Sequence, residues 1–287
     1  MIKPALLTVV LAVLPAAAFA QAVPSPSPAP TAVPDICSSG LSAVVSRPTE
    51  TTAACSVAAN HVLIETGFQA QTVDVAGGSY TFSSVPNATI RIGTALPGFE
   101  IDVLPPTLLR SSGVSAQGDA GVGARMQIAS SPSFAYGINA IATAPTGSKA
   151  RFTPGGIGSA GSSTYVFNLN LQGAINAVFG YGAGVGIQNL AAPSGAVGET
   201  RYYSLVPSLD ISASLPASWG LAVEVYHDSN GEGPSTPGHT WFDGAIEKDI
   251  GKAQLDLNYG ISDRVSPAAG APGVQRHYVG FGLSYGF

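Results

Sequence analysis

The segment Gln275-Arg276-His277-Tyr278-Val279-Gly280-Phe281-Gly282-Leu283-Ser284-Tyr285-Gly286-Phe287 decides the fold. In steps of two it gives Val279, Phe281, Leu283, Tyr285 and Phe287 on one face. The other face carries Tyr278, Gly280, Gly282, Ser284 and Gly286. A period of two is a strand and not a helix. One face is apolar and aromatic, the other small and polar. A closing strand with a terminal Phe fits an outer-membrane β-barrel, in which side chains alternate between lipid and lumen. The rest of the chain should then be a set of such strands behind an export signal.

The opening residues fit that expectation. Lys3 supplies a positive charge, residues 5–14 are apolar, and Ala18-Phe19-Ala20 is a small-x-small cleavage site. Residues 1–20 therefore read as a signal peptide cleaved after Ala20, with an apolar run too short for a membrane helix of roughly 20 residues. Residues 21–35 are a Pro-rich linker. Their prolines at 24, 26, 28 and 30 preclude a regular hydrogen-bonded element. Residues 36–60 form a periplasmic disulfide loop between Cys37 and Cys55, the only two cysteines. In an oxidising compartment such a bond restricts the unfolded chain by roughly 3 kcal/mol. The sequence does not distinguish a solvent-side cap from a plug in the lumen.

Composition narrows the class. Charged residues make up 10% of the chain and glycines number 35. A soluble domain is usually about 25% charged. Past the signal, no apolar run reaches the length of a membrane-crossing helix. The net charge of −5 argues against a nucleic-acid partner. The reading is all-β: a transmembrane antiparallel up-and-down barrel of about 12 strands over 61–287.

Taken in order, the strands cover 61–70, 85–95, 99–103, 118–129, 133–143, 163–172, 177–188, 202–214, 219–227, 239–250, 252–262 and 275–287. Each can be phased so that charge falls on one face, with the single exception of Lys248. That parity assigns Glu65, Arg91, Glu100, Asp102, Asp119, Arg125, Asp210, Glu224, Asp243, Glu247, Asp256 and Arg276 to the lumen. Lys248 is the one charge on the lipid parity, close to a strand end where it can snorkel. Trp219, Phe99, Tyr203, Phe134 and Phe287 stand at strand ends as interface girdles. Inward glycines in 177–188 match no phosphate-binding pattern and instead leave room or mark a bend. Connections alternate between short and long, with 69–84, 105–117, 145–162, 189–201, 228–238 and 263–274 long. This is the asymmetry between periplasmic turns and extracellular loops.

Several segments resemble the outer-membrane transporter family of the meta-pathway of phenol degradation. They are His61-Val62-Leu63-Ile64-Glu65-Thr66-Gly67-Phe68, residues 91–102, Gly118-Asp119-Ala120-Gly121-Val122-Gly123-Ala124, Leu255-Asp256-Leu257-Asn258-Tyr259-Gly260 and residues 279–287. The resemblance covers most of 36–287. It implies an outer-membrane barrel passing small, often aromatic, molecules, and it brings no binding residues with it.

For chemistry, His227-Asp228-Ser229-Asn230 resembles the catalytic segment of outer-membrane lipid A deacylases, where a His activates a Ser. The same residues are ordinary turn formers, so no catalytic residues are assigned. His61, His239 and His277 lack metal-ligand spacing, and no metal or cofactor is expected. The favoured function is passive uptake of small aromatic or hydrophobic molecules. A lipid-modifying enzyme and a structural or adhesive barrel are the alternatives. Expected partners are outer-membrane lipid, a small-molecule solute and the barrel assembly machinery, with Phe287 as its assembly signal. The lumen set holds nine acids and three bases, a surplus of six negative charges. Such a surplus predicts preference for cations.

Overall fold

The period-two alternation becomes a closed antiparallel ladder in the computed structural model, which describes residues 35–287 apart from 39, 48, 112, 149–150, 153–155, 158, 160, 192–200, 231–236 and 267–270. The expected signal peptide, its cleavage site and almost all of the linker lie outside the described residues, as do parts of the long connections.

Twelve strands form the wall. They are β1 (Val62–Val75), β2 (Gly78–Val85 and Thr89–Gly93), β3 (Phe99–Leu104 and Leu108–Ser111) and β4 (Val114–Gln117 and Ala120–Ser130). There follow β5 (Phe134–Ala144), β6 (Thr164–Ala174), β7 (Phe179–Ala191), β8 (Arg201–Leu215) and β9 (Trp219–His227). The last are β10 (Thr240–Ile250), β11 (Ala253–Ser262) and β12 (Gln275–Gly286). Each pairs with its neighbours in sequence, and β12 returns to β1 from Leu63↔Gly286 to Asp74↔Gln275. Closure leaves the membrane-crossing parts of the described strands with no unpaired edge, which lipid requires because it offers backbone groups no hydrogen bonds, whereas the extension Val114–Gln117 beyond them keeps a free edge.

Two connections differ from the sequence reading. Residues 69–84 are not a loop: β1 and β2 run on as a hairpin that turns at Ala76 and Gly77. Gly77 takes φ +87°, which the tight turn demands and glycine permits. Residues 105–117 likewise hold the hairpin Leu108–Ser111/Val114–Gln117. Prolines explain why both were hidden. Pro86, Pro105 and Pro106 lack an N–H and interrupt the ladder, so the polar continuations beyond them look like coil. At about 3.3 Å per residue and about 40° tilt, the 14 residues of β1 rise about 35 Å. That exceeds an apolar band of about 25 Å, so the hairpins stand clear of the membrane.

Outward parity is apolar throughout, as at Phe68, Ile101, Phe167, Leu209, Val223, Leu257 and Phe281, all exposed. Trp219, Phe134, Phe179 and Phe287 mark the short-turn rim. There Lys248 lies over the Trp219 ring at 5.1 Å and donates to the Ala217 carbonyl. A bulge at Ile128 shifts the register of β4 against β5 by one residue.

The disulfide loop lies inside the barrel and not beyond its mouth. Cys37 and Cys55 are bonded, and Ala54 and Cys55 are fully buried. The loop packs Val45 and Val57 on Leu63, and Ala54 and Cys55 on Ala135. It is therefore a plug, and Leu63 and Ala135 are wall residues turned inward to receive it.

Candidate functional site

A loop buried in a barrel has no ladder of its own, so its backbone groups need partners from the wall. The lumen side chains supply them. Glu65 accepts from the Ser46 N–H, Glu100 from Val57, Gln172 Oε1 from Ala54 at 2.7 Å and Gln127 Oε1 from Ser56 at 3.2 Å. Arg91 donates to the carbonyls of Val44 and Cys55, and Arg125 donates to that of Ala53. Gln172 Nε2 donates to the Ala43 carbonyl at 3.1 Å.

Beneath these contacts sits a buried charge cluster on β1 to β4. Arg91 Nε lies 2.7 Å from Glu100, its Nη1 3.5 Å from Glu65 and its Nε 4.0 Å from Asp102. Arg125 Nε lies 3.0 Å from the same Glu100 oxygen. Alternation on adjacent strands creates the cluster, since Arg91 pairs with Asp102 across β2 and β3, and Glu100 with Arg125 across β3 and β4. Close approach of the plug also needs bare backbone. A Cβ on Gly93 would stand 1.9 Å from the Ala58 carbonyl oxygen, and one on Gly137 2.6 Å from that of Ala54.

The far wall holds the plug by a second, smaller set of contacts. Glu224 on β9 accepts from the N–H of Glu50 at 2.7 Å, from the N–H of Thr51 at 2.6 Å and from the Thr51 hydroxyl. Arg47 Nε reaches Asp256 on β11 at 3.4 Å. Arg47 and residues 49–51 thus lie across the lumen as a latch.

Two cavities flank the latch, and Arg47 and Thr49 line both. The one toward the short turns holds about 510 Å³ and is lined by Asp210, Glu247, Asp249 and Gln254 among others. The one toward the long loops holds about 190 Å³ and includes Glu50, Gln69, Tyr226, Asn258 and Tyr278. Tyr226 stacks on Trp241 at 5.8 Å, and the Tyr278 hydroxyl donates to Asp243 at 2.6 Å. Glu50 is open to water in this upper cavity, yet barrel and plug atoms enclose it. That enclosure, followed by the charges of Glu224 and Asp228, pushes its carboxyl up to about 7.

The sequence-assigned lumen residues thus fall into separate groups. Glu65, Arg91, Glu100, Asp102 and Arg125 form the cluster, and Glu224 and Asp256 hold the latch. Asp210 and Glu247 face the lower cavity, and Asp243 sits with the aromatic group above. Asp119 accepts from the Gly147 N–H near the long-loop rim, and the Arg276 N–H donates to the Ser262 hydroxyl. Phe287 is exposed at the opposite rim, its N–H on the Val62 carbonyl. Sequence reasoning missed Arg47, Glu50, Thr51 and Asp249, while the period-two reading of 252–262 already turned Gln254 inward beside Asp256. Asp249 carried a signal, since it shares the lumen parity.

The 227–230 segment does not assemble a triad. The Asp228 carboxylate accepts from the His239 N–H at 2.9 Å and from Trp241 Nε1 at 3.2 Å. The Ser229 hydroxyl accepts from Leu205, and the His227 ring contacts the Thr240 hydroxyl. Among the described residues no group of three His, Cys, Asp or Glu side chains is placed to hold a metal.

No protein-family model matches the chain, and no curated protein matches it by sequence. Solved structures do. An outer-membrane channel from Pseudomonas putida F1 superposes with a TM-score of 0.61 at 13% identity, over 84% of this chain and 100% of that one. The NanC porin follows at TM-score 0.49 and 9% identity, over 76% of this chain and 98% of that one. The KdgM porin gives 0.46 at 9%, over 78% and 99%. At these identities the likeness speaks for architecture, and with the closed ladder and apolar exterior it makes the fold that of an outer-membrane β-barrel.

Proposed function

We propose that this protein is an outer-membrane channel for passive movement of small molecules, aromatic and hydrophobic ones included, and that the 36–57 plug narrows its lumen. The observation that carries the reading is the pair of cavities, of about 510 and 190 Å³, that lie on either side of the latch. A barrel meant to be solid would fill that space with side chains, as small barrels commonly do. The Pseudomonas putida barrel that this one resembles bears the name of a channel. The aromatic content of the solute rests on the resemblance of segments such as residues 61–68 to phenol-pathway transporters.

In this reading the plug is fixed to β1–β6 by its dense contacts, and solute passes along β7–β11, where the latch is the only crossing among the described residues. The acids of that wall favour cations over anions in a lumen with low-dielectric walls. Phe287 is the signal that the barrel assembly machinery reads during insertion, and its deletion lowers the yield of folded barrel in outer membranes.

Planar-bilayer recordings test the function. The full chain should give small conductances that rise when 36–57 are removed, with a reversal potential in a salt gradient of cationic sign. No conductance from either form would leave a closed structural barrel, and an anion-selective pore would overturn the path along the acidic wall.

A further inference from the structure

The lower cavity, open toward the short turns, has a lopsided inventory. Its barrel side carries the carboxylates of Asp210, Glu247 and Asp249. Among the described residues none of the three is ion-paired with an Arg or Lys. Gln254, 1% exposed, lines the same space. Its Nε2 donates to Glu247 at 3.2 Å and to Asp249 at 3.0 Å. Its Oε1 is buried and accepts no hydrogen bond. Among the described residues Arg47 is the one cationic side chain lining the cavity, and it is engaged with Asp256.

A buried acceptor without a donor is costly, so it is rarely left idle. Here the idle acceptor stands beside three acceptors that bear charge. What fits such a wall is a group made wholly of N–H donors with positive charge: an ammonium with three donors, or a planar amidinium. The absence of any metal-holding group among the described residues turns this set from a metal ion toward a larger cation that spans the gaps. A volume of about 510 Å³ lies within the roughly 300–1,000 Å³ of small-molecule pockets. Apolar side chains from both sides, Ala43 and Val45 of the plug and Ala222 of β9, give the organic part of such a molecule a surface.

We propose that this cavity is a binding site for small organic cations, amines or amidines. Their charged group sits among Glu247, Asp249 and the free oxygen of Gln254. The proposal rests on the channel reading for the route by which solute arrives, and it sets a substrate class within that reading. Arg47 is then the tethered counterpart of the solute, a guanidinium of the chain itself held by a neighbouring carboxylate of the same wall.

The test uses the full chain folded in detergent at pH 8, titrated calorimetrically with benzylamine. Benzyl alcohol and benzoate serve as the neutral and anionic analogues. Benzylamine should bind saturably and at least tenfold more tightly than benzyl alcohol, with no binding of benzoate. Glu247→Gln and Asp249→Asn should each weaken benzylamine by roughly threefold to thirtyfold, the range for loss of one charged hydrogen-bond partner in a part-hydrated site. Heat-modifiable migration confirms the fold of each variant, and either one suffices if the other misfolds. Equal binding of amine and alcohol, or benzylamine binding unmoved by a folded variant, overturns the site. Amine binding without conductance would instead sink the channel reading and leave the site standing.

Discussion

Glu224→Gln is the sharpest probe of the latch. Glu224 is 4% exposed, and its two oxygens accept from the amides of Glu50 and Thr51 at 2.7 and 2.6 Å. Glutamine keeps the shape but turns one oxygen into an NH₂ that faces an N–H. One charge-assisted hydrogen bond is lost and two donors oppose each other, a cost of roughly 1.5–3 kcal/mol. Removing a buried charge beside Asp210 and Asp243 gives some of this back, because desolvating a carboxylate is itself costly. The lower end, about 1.5 kcal/mol, is therefore expected. At about 1.4 kcal/mol per factor of ten, the open latch becomes about tenfold more populated. Single-channel recordings should show that increase as time spent in the larger conductance. Thr51→Val removes only the hydroxyl and should give about fivefold, for about 1 kcal/mol. Unchanged open time in a heat-modifiable Glu224→Gln barrel would refute the latch, because among the described residues no other β9 side chain is hydrogen-bonded to residues 50 and 51.

Gly93→Val places a side chain against the Ala58 carbonyl, where even a Cβ would be 1.9 Å away. Overpacking of this kind costs roughly 1–3 kcal/mol, and limited proteolysis should then cut within 36–57 while the barrel stays folded. Cys37→Ser/Cys55→Ser removes a link worth roughly 3 kcal/mol in unfolded-chain entropy. It too should expose the plug to protease without changing heat-modifiable migration. The pH response follows from Glu50, whose carboxyl is raised to about 7 by enclosure and then by Glu224 and Asp228. A raised acid favours the seated plug below about pH 4.5, where seated and released forms are both protonated, and loses that advantage as pH rises through about 7. Open time should therefore increase between pH 5 and pH 8, and Glu50→Gln should flatten the rise.

The strands were legible because lipid and lumen impose opposite demands on alternate residues. A one-residue slip would turn Glu100 and Asp102 toward hydrocarbon, so parity fixes register as firmly as in any half-buried sheet. The polar hairpins past Pro86 and Pro106 were not legible, because above the membrane both faces meet water and the alternation loses its contrast. The site was legible only in part, for a different reason. The lumen parity of Glu65, Glu100 and Glu224 could be read, but their partners are backbone N–H groups of 46–57, which every residue but proline carries. Counting side chains gives a surplus of six negative charges, yet it cannot say which of them already face an amide.

That distinction decides what the surplus does. Glu65, Glu100 and Glu224 each accept from a plug amide, and Asp256 faces Arg47. These charges serve to seat the plug, and their field is spent at close range on groups a few ångströms away. Asp210, Glu247 and Asp249 share the same wall but face a cavity, with no basic partner among the described residues. A charge buried against a plug amide offers little to a passing ion, whereas a cavity-facing carboxylate, even one that accepts from Gln254 as Glu247 and Asp249 do, retains most of its reach between low-dielectric walls. Selectivity should therefore be insensitive to Glu65→Gln and sensitive to Glu247→Gln, although both substitutions remove one negative charge from the lumen. If the two shift the reversal potential equally, the lumen acts as a uniform charged tube and the division between seating and steering acids is wrong.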